Sequence, residues 1–199
     1  MTFVFASNNS HKLEEIQRLL SEHTILSLSA IGCHDEIEES GETLEANSRI
    51  KARYVRQWIR GHYPDLLYDG IFSDDTGLEI DALGGQPGVY TARWAGEPKN
   101  DAANRHKALS LLEGAETRSA RFKTVITYIT PEGKEEQVSG LVEGSIAMAE
   151  AGDKGFGYDS IFVPEGYDRT FAELSSETKN SISHRARALM ALRTQILKQ

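Results

Sequence analysis

Cysteine is almost missing from this chain: Cys33 is the single one in 199 residues. One thiol closes no intramolecular disulfide and builds no cysteine-based zinc site. Both absences suit a reducing, cytoplasmic setting. Long apolar runs are missing too. No segment approaches the roughly 20 apolar residues that cross a bilayer. The opening Met-Thr-Phe-Val-Phe-Ala-Ser-Asn-Asn has neither the basic region nor the apolar stretch of a signal peptide, so no membrane partner is expected. Net positive charge is absent. A formal net charge of −8 repels a phosphate backbone and argues against DNA or RNA as partner, yet leaves room for a small anion in a local basic pocket. Repeats, low-complexity tracts and long linkers are also lacking. What remains is a globular composition, sized for one α/β domain or one domain with two lobes.

The pattern of apolar residues alternates between strand and helix signals. Thr2 to Ala6 reads as a buried first strand. Ser7-Asn8-Asn9-Ser10 supplies turn and N-cap residues, and a helix follows with Leu13, Ile16, Leu19 and Leu20 on one face. Ile25 to Leu28 is a second short strand, and a helix over about Thr43 to His62 carries Ile50, Tyr54, Trp58 and Ile59. Ile71 to Leu83 is a strand pair or a bulged strand, broken by Gly84-Gly85-Gln86-Pro87-Gly88. Asp101 to Leu112 is helical, with Ala108, Leu111 and Leu112 apolar. Arg121 to Thr130 is strongly β-forming, turns at Pro131-Glu132-Gly133-Lys134, and is answered by Glu136 to Ala147 as an antiparallel partner. Ser181 to Leu197 is the last helix, striped by Ala186, Leu189, Leu192 and Ile196. Hairpins together with isolated strands favour a mixed sheet.

Three stretches carry chemistry. Ser7-Asn8-Asn9-Ser10-His11-Lys12 passes from strand to helix start, where free backbone N–H groups, the helix dipole and a lysine favour an anion. The same residues also serve plain capping beside a solvated lysine. Ser73-Asp74-Asp75-Thr76-Gly77 places two acids on a strand. Alternation puts Asp75 on the polar side with Ser73 and Glu79, and leaves Asp74, beside Phe72 and Leu78, as a hydrogen-bonded support. Carboxylates gathered near phosphate imply a hard divalent cation, Mg2+ with Mn2+ as the alternative, and the acidic loop Asp35 to Glu42 is the richest source of further ligands. In the third stretch, Gly155-Phe156-Gly157-Tyr158-Asp159 offers aromatics and an acid to a base, while Lys179, His184 and Arg185 offer cations to phosphate or a base carbonyl. The alternative is that Phe156 and Tyr158 are core aromatics, the commoner fate of such rings, and that His184 is a capping or structural residue. Between them, Gly84 to Trp94 allows a close backbone approach, with Arg93 as a cation for phosphate, or else forms an ordinary loop in which Arg93 makes a structural salt bridge.

These segments, in this order and spanning nearly the whole chain, closely resemble the inosine triphosphate pyrophosphatases, also called dITP/XTP pyrophosphatases. The matching residues are Ser7 to Lys12, Ser73 to Leu78 with Pro87 to Arg93, and Gly155 to Asp159 with Lys179-Asn180 and Ile182 to Arg185. The resemblance implies one domain over 1–199: an elongated two-lobed α/β fold with a long central mixed sheet flanked by helices and the active cleft between lobes. It implies a cytoplasmic homodimer that cuts non-standard purine nucleoside triphosphates between the α and β phosphates. It assigns Asp75 as general base and metal ligand, and Glu39 as the second ligand, with Glu38 and Glu42 as close rivals. Ser7, Asn8, Asn9, Ser10, His11, Lys12, Thr76, Phe156, Gly157, Tyr158, Asp159, Lys179, His184 and Arg185 would contact the nucleotide. Three positions differ from the family's frequent pattern: Ser7-Asn8-Asn9 stands for Thr-Gly-Asn, Thr76 for Ser, and Ala46 for the Glu before Asn47. A binder without turnover would keep the pocket but has little use for the Asp74, Asp75 and Glu39 carboxylates.

Overall fold

The computed structural model describes residues 1–197, with side chains described through residue 194. It contains seven strands: β1 (Thr2–Phe5), β2 (Thr24–Leu26), β3 (Gly70–Ile80), β4 (Pro87–Gly88), β5 (Ser119–Ile129), β6 (Glu135–Ile146) and β7 (Phe162–Pro164). Its helices are α1 (Ser10–Leu19), α2 (Leu44–His62), α3 (Asp101–Leu111), α4 (Ser176–Ile182) and α5 (His184–Ala191), the last followed by a π-helical stretch, Leu192–Leu197. The strands run in the order β2-β1-β3-β5-β6-β7, with β4 paired to β3. β1 is parallel to both β2 and β3, whereas β4 is antiparallel to β3 and β7 to β6. The sheet is therefore mixed. β5 and β6 are neighbours joined by only five residues, too few for a parallel crossover.

The chain folds as two compact units. Unit one comprises Met1–Asp75, Thr124–Ser139 and Ala188–Gln199; unit two comprises Thr76–Lys123 and Gly140–Arg187. In unit one, alternate residues of β1 enter two cores. Phe3 and Phe5 pack with Ile16 and Leu20 of α1, Phe72 of β3 and Leu189 of α5. Val4 and Ala6 pack with Val55 and Ile59 of α2, Leu28 and Ile71. Burial on both faces explains why this strand reads as a continuous apolar run. Unit two has one core, in which Leu78 and Ile80 meet Ala108 and Leu112, and Phe122 packs on Phe162 and Phe171.

Polar caps set most helix starts. Asn9, Thr43, Asn100 and Ser175 each accept a backbone N–H from their own first turn. Several boundaries differ from the sequence reading. The second strand begins at Thr24 and stops at Leu26, because Ser29–Ile31 winds into a 3-10 turn closed by Gly32. β3 is one eleven-residue strand, and the chain then turns through Asp81–Leu83 so that Pro87–Gly88 returns against it. Of the apolar residues of α3 and its end, Ala108 and Leu112 are buried and Leu111 is half exposed. The last helix does not run from Ser181 through Leu197: it breaks at Ser183, whose backbone is extended (φ −65°, ψ 156°). Ala186, Leu189 and Leu192 are buried as expected; Ile196 lies outside the residues whose side chains are described.

Candidate functional site

Unit one gathers three carboxylates and two lysines from distant parts of the chain. β1 ends in the turn Ser7–Asn9, where the Ser7 hydroxyl accepts from the Asn9 N–H at 3.2 Å and the Asn9 side chain accepts from the Lys12 N–H at 3.1 Å. Asn8, Ser10 and His11 are exposed at this helix start. Lys12 extends from the first turn of α1 to Asp74, its Nζ 2.9 Å from Oδ1, and the Asp74 side chain is completely buried. The following residue points the other way. Asp75, 7% exposed, accepts at Oδ1 from Lys51 Nζ at 3.1 Å, and Lys51 also reaches Glu39 Oε1 at 2.6 Å. Lys51 thus bridges an acid from β3 and an acid from the loop before α2.

The electrostatics follow from burial. Desolvation raises the Asp75 pKa above the ordinary carboxylate value, and the nearby Lys51 and Lys12 charges only partly offset it. Burial works against the charged form of Lys51 as well, but Asp75, Glu39 and Asp74 together outweigh it and hold the lysine protonated, its pKa above the usual value. The other Asp75 oxygen, Oδ2, is buried and has no hydrogen-bond partner among the described residues. An unsatisfied carboxylate oxygen in such a place asks for a water, a proton or a cation.

The loop that carries Glu39 is pinned at Gly41, whose N–H donates to the Asn47 side chain at 2.7 Å. A Cβ on Gly41 would lie 2.6 Å from Asn47 Oδ1 and 2.7 Å from the Ala46 Cβ, so the close approach requires glycine. Among the described residues, no group of three or more His, Cys, Asp or Glu side chains is poised to hold a metal. Two hard carboxylates, one with an orphaned oxygen, still fit a magnesium-type ion, which keeps several waters and takes its remaining ligands from phosphates.

Unit two gathers the aromatic and cationic residues. Asp159, buried, accepts at Oδ2 from the Phe156 N–H at 2.9 Å and from Lys179 Nζ at 2.7 Å. Gly155, at φ +75°, makes room for that carboxylate, since a Cβ there would sit 2.0 Å from Asp159 Oδ2. The Phe156 ring, partly exposed, has Lys179 Nζ at 5.2 Å and the Arg185 guanidinium carbon at 5.8 Å from its centre. Arg185 is only 2% exposed and approaches the Thr76 hydroxyl at 3.4 Å. His184 is buried and stacks on Phe122, ring centres 4.6 Å apart. Tyr158 faces inward rather than outward: it is 3% exposed and donates its hydroxyl to the Thr91 carbonyl at 2.9 Å. Burial first, then the Asp101 charge, lift its pKa against the opposing effect of Arg105.

The sequence reading missed Lys51, Asn47 and the two α3 residues that hold the Gly157 backbone. Asp101 accepts the Gly157 N–H at 3.1 Å, and Arg105 donates to the Gly157 carbonyl at 2.9 Å. A signal for Lys51 was present. It lies on the stripe Leu44, Asn47, Ser48, Lys51, Ala52, Val55, Ile59 at helical spacing, and all seven of these residues are buried.

The chain matches the model of the Ham1 family over residues 3–195. It is similar to a dITP/XTP pyrophosphatase of Flavobacterium johnsoniae, 50% identical over 193 residues that cover 96% of each chain. It is also similar to a dITP/XTP pyrophosphatase of Porphyromonas gingivalis, 45% identical over 98% of this chain and 96% of that one. Among solved structures it is similar to the Staphylococcus aureus Ham1 protein, with a TM-score of 0.85 and 35% identity over 100% of this chain and 99% of the other. A HAM1 protein from Coxiella burnetii gives a TM-score of 0.85 and 37% identity over the full length of both. With the family model and near-complete relatives in agreement along the whole chain, it belongs to the Ham1 family.

Proposed function

We propose that this chain hydrolyses non-standard purine nucleoside triphosphates, dITP, ITP and XTP, to the monophosphate and pyrophosphate, and so clears them from the nucleotide pool. The observation that carries this reading is Asp75: a buried carboxylate with one oxygen on Lys51 and the other free of partners among the described residues. In this reading Asp75 orients a water and takes its proton as the oxygen attacks the α-phosphorus. Its raised pKa makes it a better base than an exposed aspartate. Lys12 and Lys51 bring positive charge to the phosphate chain, and the N–H groups at the start of α1 add donors. A divalent cation held by Asp75 and Glu39, magnesium or manganese, would offset the negative charge of the phosphates.

Base recognition falls to unit two. Phe156 provides a face for stacking, with two cations on it. His184 and Arg185 act as donors to a 6-keto oxygen, and the 6-amino group of adenine would leave such buried donors unpaired. Guanine shares the 6-keto group, so its rejection rests on the surroundings of C2. Homodimeric assembly and a cytoplasmic location complete the proposal. The buried, unpaired Cys33 suits the second, and no helix among the described residues is long and apolar enough to cross a membrane.

The test is pyrophosphate release from dITP, XTP, GTP and ATP, with magnesium and with EDTA. Release from dITP and XTP, abolished by EDTA and restored by added metal, is expected. Asp75→Asn should lower kcat by about 10²- to 10⁴-fold, the usual contribution of a positioned base. Equal release from ATP would overturn the 6-keto assignment, and full turnover by the Asn variant would overturn the base.

A further inference from the structure

The face of α2 turned away from Lys51 carries a second concentration of positive charge. Arg49, Arg53, Arg56 and Arg60 follow at intervals of four, three and four residues, which on a helix places them within an arc of about 60°. Lys51 points to the opposite side of the same helix. In a chain of net charge −8 this stripe is the reverse of the overall balance. Arg53, Arg56, Gln57 and Arg60, together with Glu135 of β6, line a cavity of about 420 Å³. That is the size of a small-ligand pocket.

The local charge is far from neutralised. Glu135 is the one acid in the lining: Arg53 grips it with two hydrogen bonds, at 2.7 and 2.9 Å, and Arg49 stands 3.8 Å away. In the nearby turn Lys134 and Glu136 pair with each other at 2.6 Å, so the turn adds one negative charge, at Glu132, outside the cavity lining. Arg60 has no hydrogen-bond or ion-pair partner among the described residues. Arg56 lies over the β5–β6 turn, where a Cβ on Gly133 would fall 2.5 Å from its Nη2. Its Nε is buried and has no acceptor among the described residues, a donor that native structures rarely leave unmet. One carboxylate therefore faces three guanidinium groups in the cavity, with one buried N–H still to be satisfied.

We infer that the Arg53, Arg56 and Arg60 face of α2 is a second anion site, which takes a di- or triphosphate chain, either free or as the tail of a nucleotide. Guanidinium forks match phosphate oxygens in pairs, and several negative charges on one short chain answer the excess that Glu135 leaves. The site is built entirely within unit one, on the side of α2 opposite the Asp75 cluster, and it goes beyond the hydrolytic reading.

Calorimetric titration of inorganic triphosphate into the full chain in EDTA tests it, alongside Arg60→Gln and the double variant Arg56→Gln/Arg60→Gln. Arg60 is exposed and holds nothing, so its variant folds; thermal melting checks the double. Wild type should show a binding event that weakens about tenfold in Arg60→Gln, the size of one charge-assisted hydrogen bond, and vanishes in the double variant. Glu135→Gln should tighten the same event, because it releases Arg53. Metal-dependent pyrophosphate release from saturating dITP should stay near wild type in Arg60→Gln. ATP in place of triphosphate separates the sources: a variant-sensitive event with both ligands assigns the phosphate chain itself, and one with ATP alone assigns a nucleotide. Unchanged affinity in both arginine variants overturns the inference. So does an equal loss in Arg169→Gln, a control at an exposed arginine of unit two.

Discussion

Single side chains in this protein take their chemistry from burial more than from type. Asp74 and Asp75 are adjacent and identical, yet one is sealed against Lys12 and the other, beside Lys51, has a buried oxygen without a partner among the described residues. Strand alternation alone separates them. Tyr158 makes a similar point. Its sequence neighbours leave two fates open, a ring offered to a nucleotide or a core aromatic, and it takes the second, inside unit two with its hydroxyl on the Thr91 carbonyl. Its raised pKa means that the folded chain keeps a proton which the unfolded chain releases. That contribution to stability is complete below about pH 10, the ordinary tyrosine value, and is lost as pH rises toward the higher folded value. We expect the melting temperature of Tyr158→Phe to fall less steeply than wild type between about pH 9 and 11. At pH 7 the same variant should be less stable by about 1 kcal/mol, because the Thr91 carbonyl loses its donor.

At the scale of elements, the break between α4 and α5 has the clearest consequence. The apolar spacing of Ala186, Leu189 and Leu192 continues smoothly from the preceding residues, so the sequence predicts one helix from Ser181. In the structure Ser183 ends α4, its N–H bonded to the Lys179 carbonyl at 2.9 Å, and caps the next helix by accepting the Ala186 N–H at 3.2 Å. The two short helices separate Lys179, inside α4, from His184 and Arg185 at the start of α5. Ser183→Ala should cost about 0.5–2 kcal/mol in urea unfolding, the range for a lost cap. Its KM for dITP should rise as well, since His184 and Arg185 lose the anchor of their helix start; an unchanged KM would mean that the break serves stability alone. α2 teaches the converse. Its limits were legible to within a residue, because Thr43 caps it and the apolar spacing ends at Ile59, in the turn before His62. Its burial of Asn47, Ser48 and Lys51 was not legible, because polar residues on a core face look like interruptions until their partners are known.

At the scale of the whole molecule, the proposed homodimer predicts a sedimentation mass near twice the chain's 22.1 kDa, against the single mass of a monomer. Charge also acts at this scale: a net −8 disfavours nucleic acid, while arginines gathered on one helix face leave room for a small anion. The sequence by itself determined the order of the chemical segments, the mixed sheet, most helices and strands, and a family likeness spread along the chain. Those features depend on neighbours within a few residues, on capping, alternation and apolar spacing. Only the tertiary structure decided which acid meets which lysine. Lys12 and Asp74 are 62 residues apart, Lys51 and Asp75 are 24, and Lys179 and Asp159 are 20. Such pairs are chosen by strand order and helix packing, which the local pattern does not encode. The burial that lifts Asp75 and the empty hydrogen-bonding capacity at its second oxygen come from the same source: many distant atoms excluding water from one place.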